Sequence, residues 1–205
     1  MRRVTIALAA AALLVATDRA FPGGGAGVDN EGFITTWLLL APIPLDENQS
    51  GADALNKQQV KDEAKLQPKA GTKVNVGNKE LVWKEHKCDS HLLDFNALLG
   101  AQTEDSVAYA VTYVVAPEEM KGVLMKTGSD DQMKVYLNGK EVFKYAEPRA
   151  ADKDQDSTPV TLQKGVNTLV IKVVNEKVDW SACVRFTDKD DKPLTKLKSQ
   201  TAEKP

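Results

Sequence analysis

The sequence predicts an all-β chain folded as an antiparallel sandwich, on three observations. Apolar residues recur at a period of two in short runs from Leu81 onward. Asn138-Gly139 stands between two such runs as a two-residue turn. No alternation of strand and long helix patterns competes, so a parallel sheet is not indicated. The 205 residues are room for one domain. With 27 Lys+Arg against 29 Asp+Glu the formal charge is -2, which supplies no basic field for phosphate backbones and excludes nucleic acid as a partner. A mean hydropathy of -0.35 excludes a membrane bundle. Two His and two Cys leave little material for a histidine-rich metal centre or a catalytic triad.

In chain order, Met1, Arg2 and Arg3 followed by the apolar run from Ile6 to Ala16 read as a signal peptide over residues 1–20. The run is shorter than the ~20 apolar residues a membrane span needs, so the chain is expected to be exported, with no membrane association once the leader is removed. The alternative is a leader retained as an anchor. Residues 21–33 are Gly-rich and read as a flexible linker. Residues 34–190 form the expected sandwich domain. Its first strand is ITTWLLLAPIP, residues 34–44, stopped by Pro42 and Pro44. Residues 46–70 are charged and carry only a thin apolar spacing at Leu55, Val60, Ala64 and Leu66, which predicts one short, loosely held helix in a long connection.

Between residues 107 and 117, Val107, Tyr109, Val111, Tyr113 and Val115 share one face, and Ala108, Ala110, Thr112 and Val114 the other. Met133, Val135 and Leu137 lead into Asn138-Gly139 and on to Val142 and Phe143, a hairpin whose turn residues both tolerate positive φ. PVTLQKGVNTLVIKVVN predicts a second strand pair around Lys164-Gly165. WSACVRF, residues 180–186, closes the domain, and the polar residues 191–205 are expected to fray.

GSDDQMKVYLNGKEVF, residues 128–143, followed by Arg149, Asp152, Asp154, LQKGVNTLVIKVVN and Trp180, resembles galactose-binding-like jelly-roll domains. These accompany secreted bacterial carbohydrate-active enzymes, and related strings occur in protective-antigen-type lectin domains. The resemblance implies a jelly roll whose function is binding, with a glycan as the ligand and Ca²⁺ as an accessory ion. It also implies that Asp130 and Asp131 offer paired oxygens to that cation. The bland alternative is a turn whose Asp side chains cap local N–H groups. Asp152 and Asp154, with Asp156, superficially begin an EF-hand loop, but Ser157 stands where the sharp turn wants Gly and Gln163 where a bidentate Glu is required. They are a second cation candidate, against a solvated acidic face. His86, Cys88, Asp89 and His91 are close enough in sequence to suggest a transition metal, although export favours disulfide use of the cysteine.

Alternation puts Leu81 and Trp83 inward and Cys88 outward, with Cys183 also outward opposite Val184 and Phe186. Because early and late strands are neighbours in jelly rolls, a Cys88–Cys183 disulfide is expected, worth roughly 3–5 kcal/mol in the chain-entropy model; the alternative is two free thiols. Trp37 and Trp83 read as core. Asp131, Tyr145, Arg149 and Trp180, near loops on a rigid scaffold, are the expected glycan contacts. No GxSxG, HExxH, P-loop or dinucleotide fingerprint is present, so catalysis is the minority reading. The alternatives to a glycan binder are a scaffolding module that recognises another exported protein, and a small hydrolase built on a carboxylate pair.

Overall fold

A computed structural model describes residues 27–202. The expected leader and the first part of the expected linker lie outside the described residues. Among the described residues, thirteen strands form two antiparallel sheets and a small hairpin. The large sheet has the order β4 (Lys84–Lys87), β1 (Thr36–Pro44), β6 (Ser106–Ala116), β11 (Gly165–Asn175), β8 (Met133–Leu137), β9 (Lys140–Tyr145), with β13 (Lys198–Gln200) paired to β6. The second sheet runs β10 (Asp156–Leu162), β7 (Met120–Asp130), β12 (Ser181–Thr187), β5 (Leu93–Asp94). From β6 to β13 the chain crosses from sheet to sheet at every connection but the β8–β9 hairpin. The remaining hairpin is β2 (Lys73–Val76) with β3 (Lys79–Val82).

Strand β6 is the axis of the large sheet. All eleven of its residues pair with β11, and side chains on both of its faces are buried. Ala108, Ala110 and Val114 face the second sheet, in a core with Trp37, Leu169, Ile171, Val184 and Phe186. Val107, Tyr109, Val111 and Tyr113 face the other way and meet a separate core with Leu38, Leu40, Leu55, Val60 and Trp83. The sandwich therefore has a third layer, formed by the connection between β1 and β4. That connection carries α1 (Gly51–Asn56), a 3₁₀ turn at Glu63–Lys65, and the β2–β3 hairpin.

This is the largest departure from the sequence reading, which held residues 46–70 to be loose. Leu55 is fully buried, and Ser50 caps α1 by accepting from the Asp53 N–H at 3.1 Å while its hydroxyl donates to the Asp53 carboxylate at 2.7 Å. A polar knot then pins the layer to the sheet. Buried Glu63 accepts from the Tyr136 hydroxyl at 2.6 Å, from the Tyr109 hydroxyl, and from Lys172 Nζ at 3.2 Å. Lys172, itself fully buried, also donates to the carbonyls of Leu55 and Lys57. Burial pulls the Lys172 ammonium down to about 8 against the opposing pull of Glu63, and pushes both phenols upward.

Other expectations are refined. The Asn138-Gly139 hairpin forms with φ of 51° and 80° at its two turn residues, and Leu137 pairs with Lys140. The strands flanking Lys164-Gly165 do not pair with each other: β10 belongs to the second sheet and β11 to the first. The Asn167 side chain holds that corner, donating to Gln163 O and accepting from Gln163 N, both at 2.8 Å. Pro42 does not end β1; it sits in a bulge between Leu40 and Ile43. A second short helix, α2 (Phe95–Leu99), starts at the Asp94 cap. The end of the chain does not fray at residue 191, because Leu197 is buried and β13 lies beside β6. Phe33 and Val28 are also buried, so the described end of the expected linker packs.

The knot sets an alkaline signature. Between about pH 8 and 10.5 the unfolded chain holds the Lys172 proton more tightly than the folded chain, so stability rises with pH across that window. Both thiols are pushed up by burial to about 12, which makes the unfolded chain lose protons first above about pH 9 and opposes the rise. Cysteine effects cancel in a difference, so urea titrations of the wild type minus Lys172→Met are expected to shift in the wild type's favour from about pH 8 upward. A flat difference would show that Lys172 is not desolvated. Glu63→Ala, which strands the buried ammonium, should cost roughly 3–5 kcal/mol at pH 7.

Candidate functional site

Strand β7 ends in Gly128-Ser129-Asp130, and the chain turns at Asp131 directly into β8, with the Asp131 N–H bonded to Val174 O at 2.9 Å. Residues 146–155, between β9 and β10, fold back over this turn. A Cβ at Gly128 would lie 1.8 Å from Asp152 O, so the close approach of that loop requires glycine. Ser129 N donates to Gln155 Oε1 at 3.1 Å, and its hydroxyl donates to Asp131 O at 2.8 Å.

Three of the four expected glycan contacts meet here. The Arg149 guanidinium lies 3.8 Å from the centre of the Tyr145 ring, donates to Ser129 Oγ at 3.2 Å, and forks onto the Asp156 carboxylate at 2.5 and 3.3 Å. The Asp131 carboxylate accepts from Glu176 N at 2.8 Å and faces the Arg149 and Lys177 N–H groups. Arg149 and Asp131 are thus spent on bonds to neighbouring strands and turns of the fold itself. The fourth expected contact is a correction: Trp180 is 1% exposed and packs on Phe95 with ring centres 4.9 Å apart, because the β12 entry is buried by α2. It offers no face to a sugar.

The cation candidates also divide. Asp130 and Asp131 adjoin, and burial, then Asp131 and Asp179, push the Asp130 carboxyl up to about 6 against the Ala151 N–H. Burial raises Asp131 too, against its N–H partners. Asp154 forms a two-point ion pair with Arg185, and Asp152 accepts from Lys153 N at 2.7 Å. Among the described residues, no group of three or more His, Cys, Asp or Glu gathers in a way that could hold a metal ion, which covers the His86, Cys88, Asp89 and His91 set as well.

The expected disulfide is overturned. Cys88 and Cys183 are free and buried. Cys88 packs in the core between the sheets, with Trp37 and Leu93. Cys183 alternates with core-facing Ala182 and Val184 and so points out of the second sheet, where its Sγ lies 3.7 Å from Asp152 O. Trp83 and Cys88 do lie on opposite faces, but it is Trp83 that faces the third layer and Cys88 the core between the sheets, so the inward and outward sides of the early strands are exchanged.

A different place is open to a ligand. An open groove of about 590 Å³ lies between the 3₁₀ turn and the β8–β9 turn, lined by Lys65, Gln67, Asn138, Lys140, Val166 and Thr168 among others. A second hollow of about 420 Å³ lies on the other side of the same turn and shares Asn138 and Lys140. The turn is held rigidly: Asn138 N donates to Thr168 O, Thr168 N to Asn138 Oδ1, both at 2.9 Å, and Asn138 Nδ2 donates to Asn167 Oδ1 at 2.8 Å. The turn geometry is legible in Asn138-Gly139, but nothing local marks the groove, whose other wall, at Lys65 and Gln67, arrives from about 70 residues earlier in the chain through the third layer. No protein-family model matches the chain, and no curated protein does.

Two outcomes test the acidic corner. Asp130 holds its proton more tightly folded than unfolded, so its ionisation costs stability as pH rises from about 4 through 6. Asp130→Asn, which keeps an acceptor for Ala151 N, should raise the melting midpoint at pH 7 by roughly 2–4 °C, the shift of about 1 kcal/mol in a domain of this size after discounting for solvent screening. The gain should vanish below pH 4. Exchange of EDTA for excess Ca²⁺ should leave the wild-type midpoint unmoved, whereas a filled site would raise it by several degrees.

Proposed function

We propose that the chain is a non-catalytic binding module, a galactose-binding-like jelly roll acting after export, and that its ligand is a glycan seated at the Asn138-Gly139 turn. The observation that carries this reading is the open groove of about 590 Å³ on a rigid turn, a size within the range of about 300–1,000 Å³ typical of small-ligand sites. Its lining suits a sugar. Gln67 and Thr168 offer hydrogen bonds to hydroxyls, Lys65 and Lys140 add donors, and Val166, 38% exposed, gives an apolar floor for ring C–H groups.

Two further observations favour glycan over the alternatives. The large apolar side chains left exposed among the described residues are Val166 and Val178, which do not amount to a protein-docking patch of several hundred Å². Asp130 and Asp131, the adjacent carboxyls a hydrolase would use, line neither hollow at the turn. Export is supported by the basic and apolar pattern of residues 1–16.

A glycan array followed by calorimetric titration of the full chain tests the reading. Binding at a dissociation constant of about 1 mM or tighter, about -4 kcal/mol or better, is expected. Thr168→Tyr, which fills the groove, should weaken it at least tenfold, while Lys121→Gln on the second sheet should not change it. Absence of binding to every glycan class would overturn the proposal.

A further inference from the structure

Resting on the glycan reading, we infer that the groove selects an anionic glycan, whose carboxylate or sulfate groups are received by Lys65 and Lys140. The two hollows that flank the Asn138-Gly139 turn are lined by these two lysines and by no Asp or Glu. The hollow formed by the β6–β7 turn and the end of the chain is instead mixed, with Glu118 and Asp188 beside Lys192 and Lys196. The chain as a whole is slightly acidic, so a surface with only positive charge is a local departure, not a reflection of composition.

Neither ammonium is consumed within the fold. Three other lysines near the polar knot are paired: Lys172 with Glu63, Lys134 with Glu141, Lys57 with Asp46. Lys65 and Lys140 have no ion-pair partner among the described residues. Both are nonetheless positioned. Lys65 lies two residues beyond Glu63, the residue the knot grips, and its stem crosses the turn so closely that a Cβ at Gly139 would meet its Cγ at 3.4 Å. Lys140 leaves a turn whose backbone and Asn138 side chain are hydrogen-bonded on both sides.

A neutral sugar would meet these ammoniums as ordinary donors. A carboxylate or sulfate would form charge-assisted bonds, which are about twice as strong, and lysine receives either group because it acts as a point charge with rotatable donors. The neutral liners, Gln67 and Thr168, remain for hydroxyls.

The test titrates the full chain with three oligosaccharides of equal length: a uronate oligomer, a sulfated oligomer, and a neutral glucan. Tighter binding of an acidic oligomer is expected, weakening as salt is raised from about 0.05 to 0.2 M. Lys65→Gln and Lys140→Gln should each lower its affinity about fivefold to tenfold with unchanged melting midpoints, and Lys121→Gln should not. The preferred oligomer distinguishes carboxylate from sulfate. If the neutral glucan binds as well as the acidic ones, or the two variants bind the acidic oligomer like the wild type, the anionic specificity is overturned while the glycan reading stands. If no oligomer binds and the wider array is also silent, both fall.

Discussion

Burial of the centre of the large sheet on both faces is the constraint from which the rest of the architecture follows. A sandwich strand ordinarily alternates core-facing with solvent-facing side chains. In β6 and β11 both sets are buried and mostly apolar, Tyr109 and Val111 no less than Ala108 and Ala110, so one partner sheet cannot satisfy them. The connection between β1 and β4 has to serve as the second cover. It is poor in apolar residues, and supplies Leu55, Val60 and Trp83 at intervals, with charged side chains between them. Fixing so polar a strap takes directional bonds as well as hydrophobic area, and Glu63 supplies them.

That arrangement explains why a buried ion pair stands where an apolar contact would serve stability better. Desolvating Lys172 and Glu63 is expensive, and such pairs seldom stabilise more than a hydrophobic substitute of the same shape. What the pair and its two tyrosines supply is register: one carboxylate fits two phenols on β6 and β8 and one ammonium on β11 in a single way. The 3₁₀ turn is thereby set at a definite height above the sheet, and with it the wall of the groove.

The sequence showed the fold class clearly, because alternation and turn chemistry are local properties. The Asn138-Gly139 hairpin, with two residues at positive φ, is legible from two letters. Non-local facts were hidden for identifiable reasons. Alternation assigns residues to faces but cannot say which face is inside when both are buried, and this reversed Cys88 and led to a disulfide the fold does not make. The Lys164-Gly165 corner reads like a hairpin because a sheet change and a tight turn use the same residue types. Trp180 reads as a loop aromatic because the helix that covers it, at Phe95–Leu99, carries only five residues and no marked period. One local signal for the third layer is nevertheless present in the sequence: the lone Lys172 in the otherwise apolar run LVIKVV.

The two sulfurs sit at different depths under different lids. Cys88 is sealed between the sheets, while Cys183 lies beneath the carbonyl of Asp152, covered by the loop that glycine at 128 admits. Both thiols are held protonated well above neutrality by burial, so neither reacts until its cover lifts. The chain therefore carries two internal clocks. The rate at which a thiol reagent consumes Cys183 counts excursions of residues 146–155 away from the sheet, and the rate at Cys88 counts separations of the sandwich itself, so one chemical measurement ranks the opening of a loop against the opening of the core.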